Sequence, residues 1–335
     1  MLARNVALGL AAAACVFALS YANGGFDTTT KSYAAISAWW LLGSGAAIGI
    51  AAARERVDRL ALAALGLLTL FALWTLISMS WASDRGRAFA QFDQVSLYVA
   101  VLALAIVVAR LVPAFAIVNG IALAISAIGV VSLASRFFPS TFGVAPSTIL
   151  PTITSRLSFP LGYWNGLGIE MALGYPLLLS IMASRRTRLA SALAALPLPV
   201  LGAVMYLTSS RGAYVAAAVA VVAYLLLAPN RWPALAAAGL AGAAGAVSVV
   251  FLHHRTQLLS GVMTDPVAIQ QGHRAALLIG IACVVSALVW LGLTEIGRRV
   301  PAPPPFSGCA WNSELAAPQN CQRPLPELLS RCELM

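Results

Sequence analysis

Apolar runs recur along the chain from end to end, at residues 5–22, 33–53, 58–79, 94–112, 114–135, 164–183, 189–208, 213–228, 233–252 and 275–293. Most are long enough for an α-helix to cross a hydrocarbon core about 30 Å thick. None shows the alternation over about 10 residues that a barrel strand needs. Backbone polar groups inside lipid must be satisfied within their own segment, so runs of this kind can only be helices. The pattern predicts an all-α, polytopic transmembrane bundle of about ten spans over residues 1–293. The first run, with Arg4 before it and Ser20-Tyr21-Ala22 after it, also has the form of a signal peptide. Cleaved or retained, it leaves the orientation of the later helices unchanged.

The connections between the runs fall into two kinds. One side carries short basic turns: Arg54-Glu55-Arg56-Val57-Asp58-Arg59, Arg185-Arg186-Thr187-Arg188, Arg231 and Arg298-Arg299, together with Arg4 and Arg110. Lysine and arginine hold short loops in the cytoplasm, so this side is expected to be cytoplasmic, with both termini on it, and the protein to sit in the cytoplasmic (inner) membrane. The other side holds the longer segments 23–32, 80–93, 136–163 and 253–274 and a tight turn at 209–212. Arg85, Arg87, Arg136, Arg156, Arg211, Arg255 and Arg274 lie there against the charge rule, so each asks for a physical reason. Within 233–252, Gly239, Gly242 and Gly245 recur every three residues and predict a close helix–helix approach.

Composition narrows the function classes. Hydrophobic residues make up 60% of the 335 positions and charged residues 10%, against about 25% charged in soluble chains. The formal net charge of +10 would suggest nucleic acid in a soluble protein, but here the cations are spread over the turns of a membrane protein. No phosphate loop, zinc-ligand spacing or aromatic-basic patch accompanies them. No metal or cofactor is implied, and Asp27, Asp84, Asp93 and Asp265 are too scattered for a divalent cation. Cys15 and Cys283 lie in apolar runs; Cys309, Cys321 and Cys332 follow without CxxC spacing. From residue 294 to 335 the composition breaks to a Pro- and Cys-containing tail expected to be disordered.

Three segments on the longer-loop side carry candidate chemistry. The first is Arg156-Leu157-Ser158-Phe159-Pro160-Leu161-Gly162-Tyr163-Trp164-Asn165-Gly166-Leu167-Gly168. The second is Leu207-Thr208-Ser209-Ser210-Arg211-Gly212-Ala213, and the third Gln271-Gly272-His273-Arg274 at the start of the last apolar run. Read alone, Arg211 and Arg274 fit helix ends whose side chains reach lipid headgroups. Asn165 and Tyr163 fit helix capping and interfacial anchoring as well as binding. Glu170, two turns into an apolar run, is costly in lipid and marks a functional position. His273 titrates near neutrality and could take a proton; His253 and His254 read as helix-end residues.

In their order and spacing these segments resemble the O-antigen ligase and polymerase family of bacterial envelope enzymes, over roughly residues 60 to 293. The resemblance implies a metal-free glycosyltransferase at the outer face of the cytoplasmic membrane. Its donor is a glycan on a polyprenyl diphosphate, its acceptor a lipid or glycan hydroxyl, and membrane lipids surround it; nucleic acid is not a partner. Matching to the family's motifs places Arg211 and Arg156 at the donor diphosphate, with Arg274 a third candidate; by their own chemistry Ser210, Asn165 and Tyr163 are further substrate-binding candidates, and His273 and Glu170 candidates for catalysis. Developing negative charge on a leaving diphosphate is stabilised by fixed cations, and arginine offers a planar fork to phosphate oxygens. Family members continue into a large outer loop with an acceptor-activating histidine, followed by more helices. This sequence has no histidine after His273 and runs into Val300-Pro301-Ala302-Pro303-Pro304-Pro305. The expectation is a transferase-like chain truncated before its acceptor-activating part, which keeps the donor site and transfers a glycan only if the chain is complete. A secondary transporter or lipid-linked-glycan flippase is the alternative, with no half-to-half repeat in its favour.

Overall fold

A computed structural model describes residues 2–48, 58–142, 155–184, 187–262 and 264–299. The chain divides into two compact units, Met1–Thr294 and Glu295–Met335. The tail expected from residue 294 therefore lies, from residue 300 onward, outside the described residues, as do Arg54, Arg56, Arg185 and Arg186.

All regular structure among the described residues is helical. The elements are α1 (Leu2–Tyr21), α2 (Thr28–Ala47), α3 (Arg59–Ser78), α4 (Arg85–Leu111), α5 (Ala114–Phe137), α6 (Pro139–Phe142), α7 (Trp164–Ala183), α8 (Arg188–Leu193), α9 (Leu198–Thr208), α10 (Arg211–Leu227), α11 (Arg231–His253), α12 (Thr256–Ser260) and α13 (Pro266–Arg299), with a 3-10 turn over Asn23–Gly25 after α1. Among the described residues, eight helices are long and apolar enough to cross a membrane, with α8 and α9 taken together. Of the ten predicted runs, α2 and α10 fall outside that set. Thr28, Thr29, Thr30, Lys31 and Ser32 make the start of α2 polar, and α10 has 17 residues, about 25 Å of helix.

Capping moves several boundaries away from the apolar pattern. Asp84 Oδ1 accepts from the Arg87 amide at 2.9 Å, so α4 starts at Arg85, and Arg85 and Arg87 are helical rather than loop residues. Asp265 Oδ1 accepts from the Val267 amide at 2.8 Å, and Pro266 supplies a first helical position with no amide to satisfy. The Gln271-Gly272-His273-Arg274 segment consequently lies in the second and third turns of α13, not at its start. The run 189–208 is also not one continuous helix. Pro197 and Pro199 cannot donate into an α-helical ladder, and the chain unwinds over residues 194–197 between α8 and α9.

The core is built on α7, which packs against α5, α9, α10 and α11. Leu167, Met171 and Leu179 of α7 and Leu198, Leu201 and Val204 of α9 are fully buried. α1 lies along α5, where a Cβ built on Gly120 would fall 2.1 Å from the Gly9 carbonyl oxygen. A second close approach joins α9 and α11: a Cβ on Gly202 would meet the Gly245 Cα at 2.6 Å. This corrects the reading of the glycine stripe. Gly239 and Gly242 have nothing within 4 Å; the face of α11 that packs is Ala234, Ala237, Ala241, Ala244, Ser248 and Leu252, at the helical spacing of three and four residues, with Gly245 at its edge. α3 and α4 pack around a small cluster of their own, Ala72, Val95 and Val99, and α2 packs on α4. The Trp39 indole donates to Ser96 Oγ at 3.1 Å, tying α2 to α4. Leu67, Leu70, Leu226 and Leu277 are among many large apolar side chains left exposed, which is the surface a lipid solvent requires.

Candidate functional site

The turn between α9 and α10 is two residues long. Ser209 ends α9 in the left-handed region at φ +51°. Ser210 then caps α10, its Oγ accepting from the Ala213 amide at 3.3 Å. Side-chain capping satisfies an amide that the first turn of a helix leaves free, so the serines are explained by the sharp reversal. Thr208 and Ser210 are buried, while Arg211, the first residue of α10, is exposed.

The segment before α7 wraps around this turn. The Leu157 amide donates to the Leu207 carbonyl at 2.9 Å, joining the segment to the end of α9. One turn into α7, a Cβ on Gly168 would lie 2.7 Å from Ala213 Cβ and 3.3 Å from Ser210 Cβ. Gly168 thus lets α7 rest directly on the Ser210–Ala213 turn. Trp164, four residues earlier, shares that face of α7. The Arg156 guanidinium sits 5.2 Å over the Trp164 ring, a cation–π contact. Asn165 Nδ2 donates to the Tyr163 hydroxyl at 2.8 Å. The structure therefore brings Arg156, Tyr163, Asn165, Ser210 and Arg211 to one end of the bundle, through contacts that join the first two predicted segments.

Other elements brace the segment from below. Tyr21 at the end of α1 meets Phe159 edge-on at 5.9 Å, and Phe142 of α6 meets the same ring at 5.9 Å. Gly162, at φ +73°, leaves room for Asn23, whose Oδ1 occupies the place a Cβ would take. Arg136 at the end of α5 donates through Nη2 to the Ser155 carbonyl and is only 3% exposed. It is a buried strut, and this accounts for one arginine that the charge rule disfavoured.

Glu170 is held differently from the arginines. Ser20 of α1 donates to its Oε1 at 2.6 Å, and Oε2 has no hydrogen-bond partner among the described residues. Its partner is thus a hydroxyl from α1 inside the bundle.

The third segment sits beside the ends of α5, α11 and α12. Gly272 passes so close to α5 that a Cβ would be 3.0 Å from the Phe137 carbonyl oxygen. The His273 ring stacks on Phe138 with centroids 5.0 Å apart. Gln271 Oε1 accepts from the Leu258 amide at 3.0 Å, fixing α12 to α13. Arg274 lines an open groove with Val250, Phe251, His254, Arg255 and Gln271. Burial, and next the Arg274 charge, push the Arg255 guanidinium below its usual range. Neither Arg156 nor Arg211 lines this groove. The Tyr206 hydroxyl bonds His253 Nδ1 at 3.1 Å, which joins α9 to α11 between the two regions. All three segments share one end of the bundle, and the first two interlock.

Gly168, Trp164 and Arg136 were named in the sequence but given no role in the site. Arg136 carried a signal, as a lone cation at the end of an apolar run. Gly168 carried none, since its role depends on which helix lies opposite. No protein-family model, curated protein or solved structure matches the chain.

Proposed function

We propose that the chain is a membrane glycosyltransferase of the O-antigen ligase and polymerase type, which binds a glycan linked to a polyprenyl diphosphate at the outer face of the cytoplasmic membrane. The observation that carries this reading is the seating of Gly168 on the Ser210–Ala213 turn, with Arg156 and the exposed Arg211 on the elements it joins. In this reading α2 and α10 cross the membrane with the eight longer helices, giving ten spans. Arg4, Arg59, Arg110, Arg188 and Arg231 mark the cytoplasmic side.

The arginines act on the leaving group. An acceptor hydroxyl attacks the first carbon of the donor glycan, the bond from that carbon to the diphosphate oxygen breaks, and charge collects on the lipid diphosphate. Arg211 and Arg156 stabilise that charge as it forms, and Asn165 offers a hydrogen bond beside them. Between the two groups considered for the acceptor proton, Glu170 is engaged by Ser20 in the bundle, whereas His273 is exposed. The proposal gives the proton to His273.

Arg211→Ala is expected to weaken binding of a polyprenyl diphosphate to the purified protein in detergent by about 2 kcal/mol, roughly 30-fold, as for loss of a charged hydrogen bond. Equal binding by both proteins would remove Arg211 from the site, and absence of binding by the wild type would remove the donor reading. The unwound residues 194–197 favour a second reading, since transporters and flippases use interrupted helices. Those residues pack Ala194 and Ala195 into the apolar core and present no charge there. Movement of a lipid-linked glycan across proteoliposomes without transfer would establish that second reading.

A further inference from the structure

Tyr163 and Trp164 are arranged for more than anchoring at a membrane interface. The Tyr163 ring is 52% exposed, yet its hydroxyl is held by Asn165 Nδ2 at 2.8 Å. The Trp164 ring lies 5.4 Å from it at a 49° tilt, with the Arg156 guanidinium over the indole. The indole Nε1 is buried and has no hydrogen-bond partner among the described residues. It belongs to the packed part of the segment, so the groups open to a partner are the Tyr163 ring and the exposed Arg156 guanidinium.

These features specify a ligand chemistry. A fixed, exposed aromatic face suits a partner with weakly positive C–H groups, because the ring face is negative. The exposed Arg156 guanidinium over the neighbouring indole suits a partner ringed with oxygen acceptors. A prenyl chain meets only the first requirement and a phosphate only the second. A pyranose meets both, with C–H groups on one face and hydroxyl oxygens around its rim. Gly162, with its φ of +73°, and Gly166 flank the pair and carry no side chain that would cover the platform.

Resting on the donor reading above, we infer that Tyr163 is the stacking platform for a sugar of the lipid-linked glycan, with Arg156 donating to its hydroxyl oxygens. The site then has two parts. Arg211 holds the diphosphate whatever the glycan, and the Tyr163 ring recognises that a sugar is attached.

The test measures binding to the full chain in detergent of a polyprenyl diphosphate and of the same lipid carrying one glucose, galactose or N-acetylglucosamine. Wild type is expected to prefer at least one glycosylated probe over the bare lipid. Tyr163→Leu is expected to weaken that probe by about tenfold, the scale of an aromatic stacking contact, and to leave the bare lipid unchanged. Tyr163→Phe, which keeps the ring and loses the hydroxyl, is expected to retain the preference and reports that the segment still folds. The inference is overturned if wild type binds the bare lipid but shows no preference, if Tyr163→Leu weakens both probes alike, or if Tyr163→Phe behaves as Tyr163→Leu. Those outcomes leave the donor reading in place. Binding of neither probe by wild type overturns both.

Discussion

Gly120→Leu is expected to lower the stability of the detergent-solubilised protein by about 3 kcal/mol, the upper part of the usual overpacking range. α1 and α5 cross with backbone against backbone. A Cβ on Gly120 would lie 2.1 Å from the Gly9 carbonyl oxygen, and a Cβ on Gly9 would lie 2.8 Å from that of Ala116. Neither obstacle is a side chain that could rotate away, so the helices must part. Parting them also draws Ser20 away from Glu170, which loses its hydrogen bond. Gly239→Leu and Gly242→Leu provide the contrast. Both sites face open space, and substitutions there should change stability by less than about 0.5 kcal/mol. Thermal unfolding of the three variants decides the matter. If Gly120→Leu proves as stable as Gly242→Leu, α1 does not pack on α5 in the mature protein, as would follow if the first run were cleaved as a signal peptide.

The second large effect is expected at Gly168. A leucine there would push on Ala213 Cβ, Thr208 Oγ1 and Ser210 Cβ, which a first carbon alone would approach to 2.7, 3.2 and 3.3 Å. Thr208, which ends α9, and Ser210, in the two-residue turn that follows, are both buried, so the end of α9 and the turn have to move together away from α7. Gly168→Leu should cost about 3 kcal/mol of stability and abolish diphosphate binding by shifting Arg211 relative to Arg156. Gly212→Ala is the control. Gly212 is adjacent to Arg211 in sequence, but a Cβ there has nothing within 4 Å, and the substitution should leave binding unchanged. A Gly168→Leu protein that binds as wild type does would show that the contact between α7 and the turn does not position the site.

Particular residues show how far the sequence could be read. The bounds 164–183 predicted for α7 coincide with Trp164–Ala183, because an apolar run of membrane-spanning length flanked by polar segments leaves little freedom. α4 and α13 begin about two turns earlier than expected, since Asp84 and Asp265 cap polar turns that hydropathy alone assigns to loops. The break before α9 could have been anticipated from Pro197 and Pro199. Gly239, Gly242 and Gly245 misled because a three-residue repeat does not say which face of α11 a neighbour covers.

The candidate site divides in the same way. Arg156, Arg211, Tyr163 and Asn165 were legible as polar residues placed at the ends of apolar runs. Their grouping was not, because Leu157 meets Leu207 and Gly168 meets Ala213 only after the bundle has formed. Nor was the fate of Arg136 and Glu170, whose partners Ser155 and Ser20 are 19 and 150 residues away. The sequence by itself determined a helical chain built for lipid, since its apolar runs leave backbone hydrogen bonding no other solution. The tertiary structure alone decided which glycines are contacts, which arginine is a strut and which side chains share a site. Those choices depend on the neighbour that each helix face meets, and hydropathy along a chain records no neighbours across it.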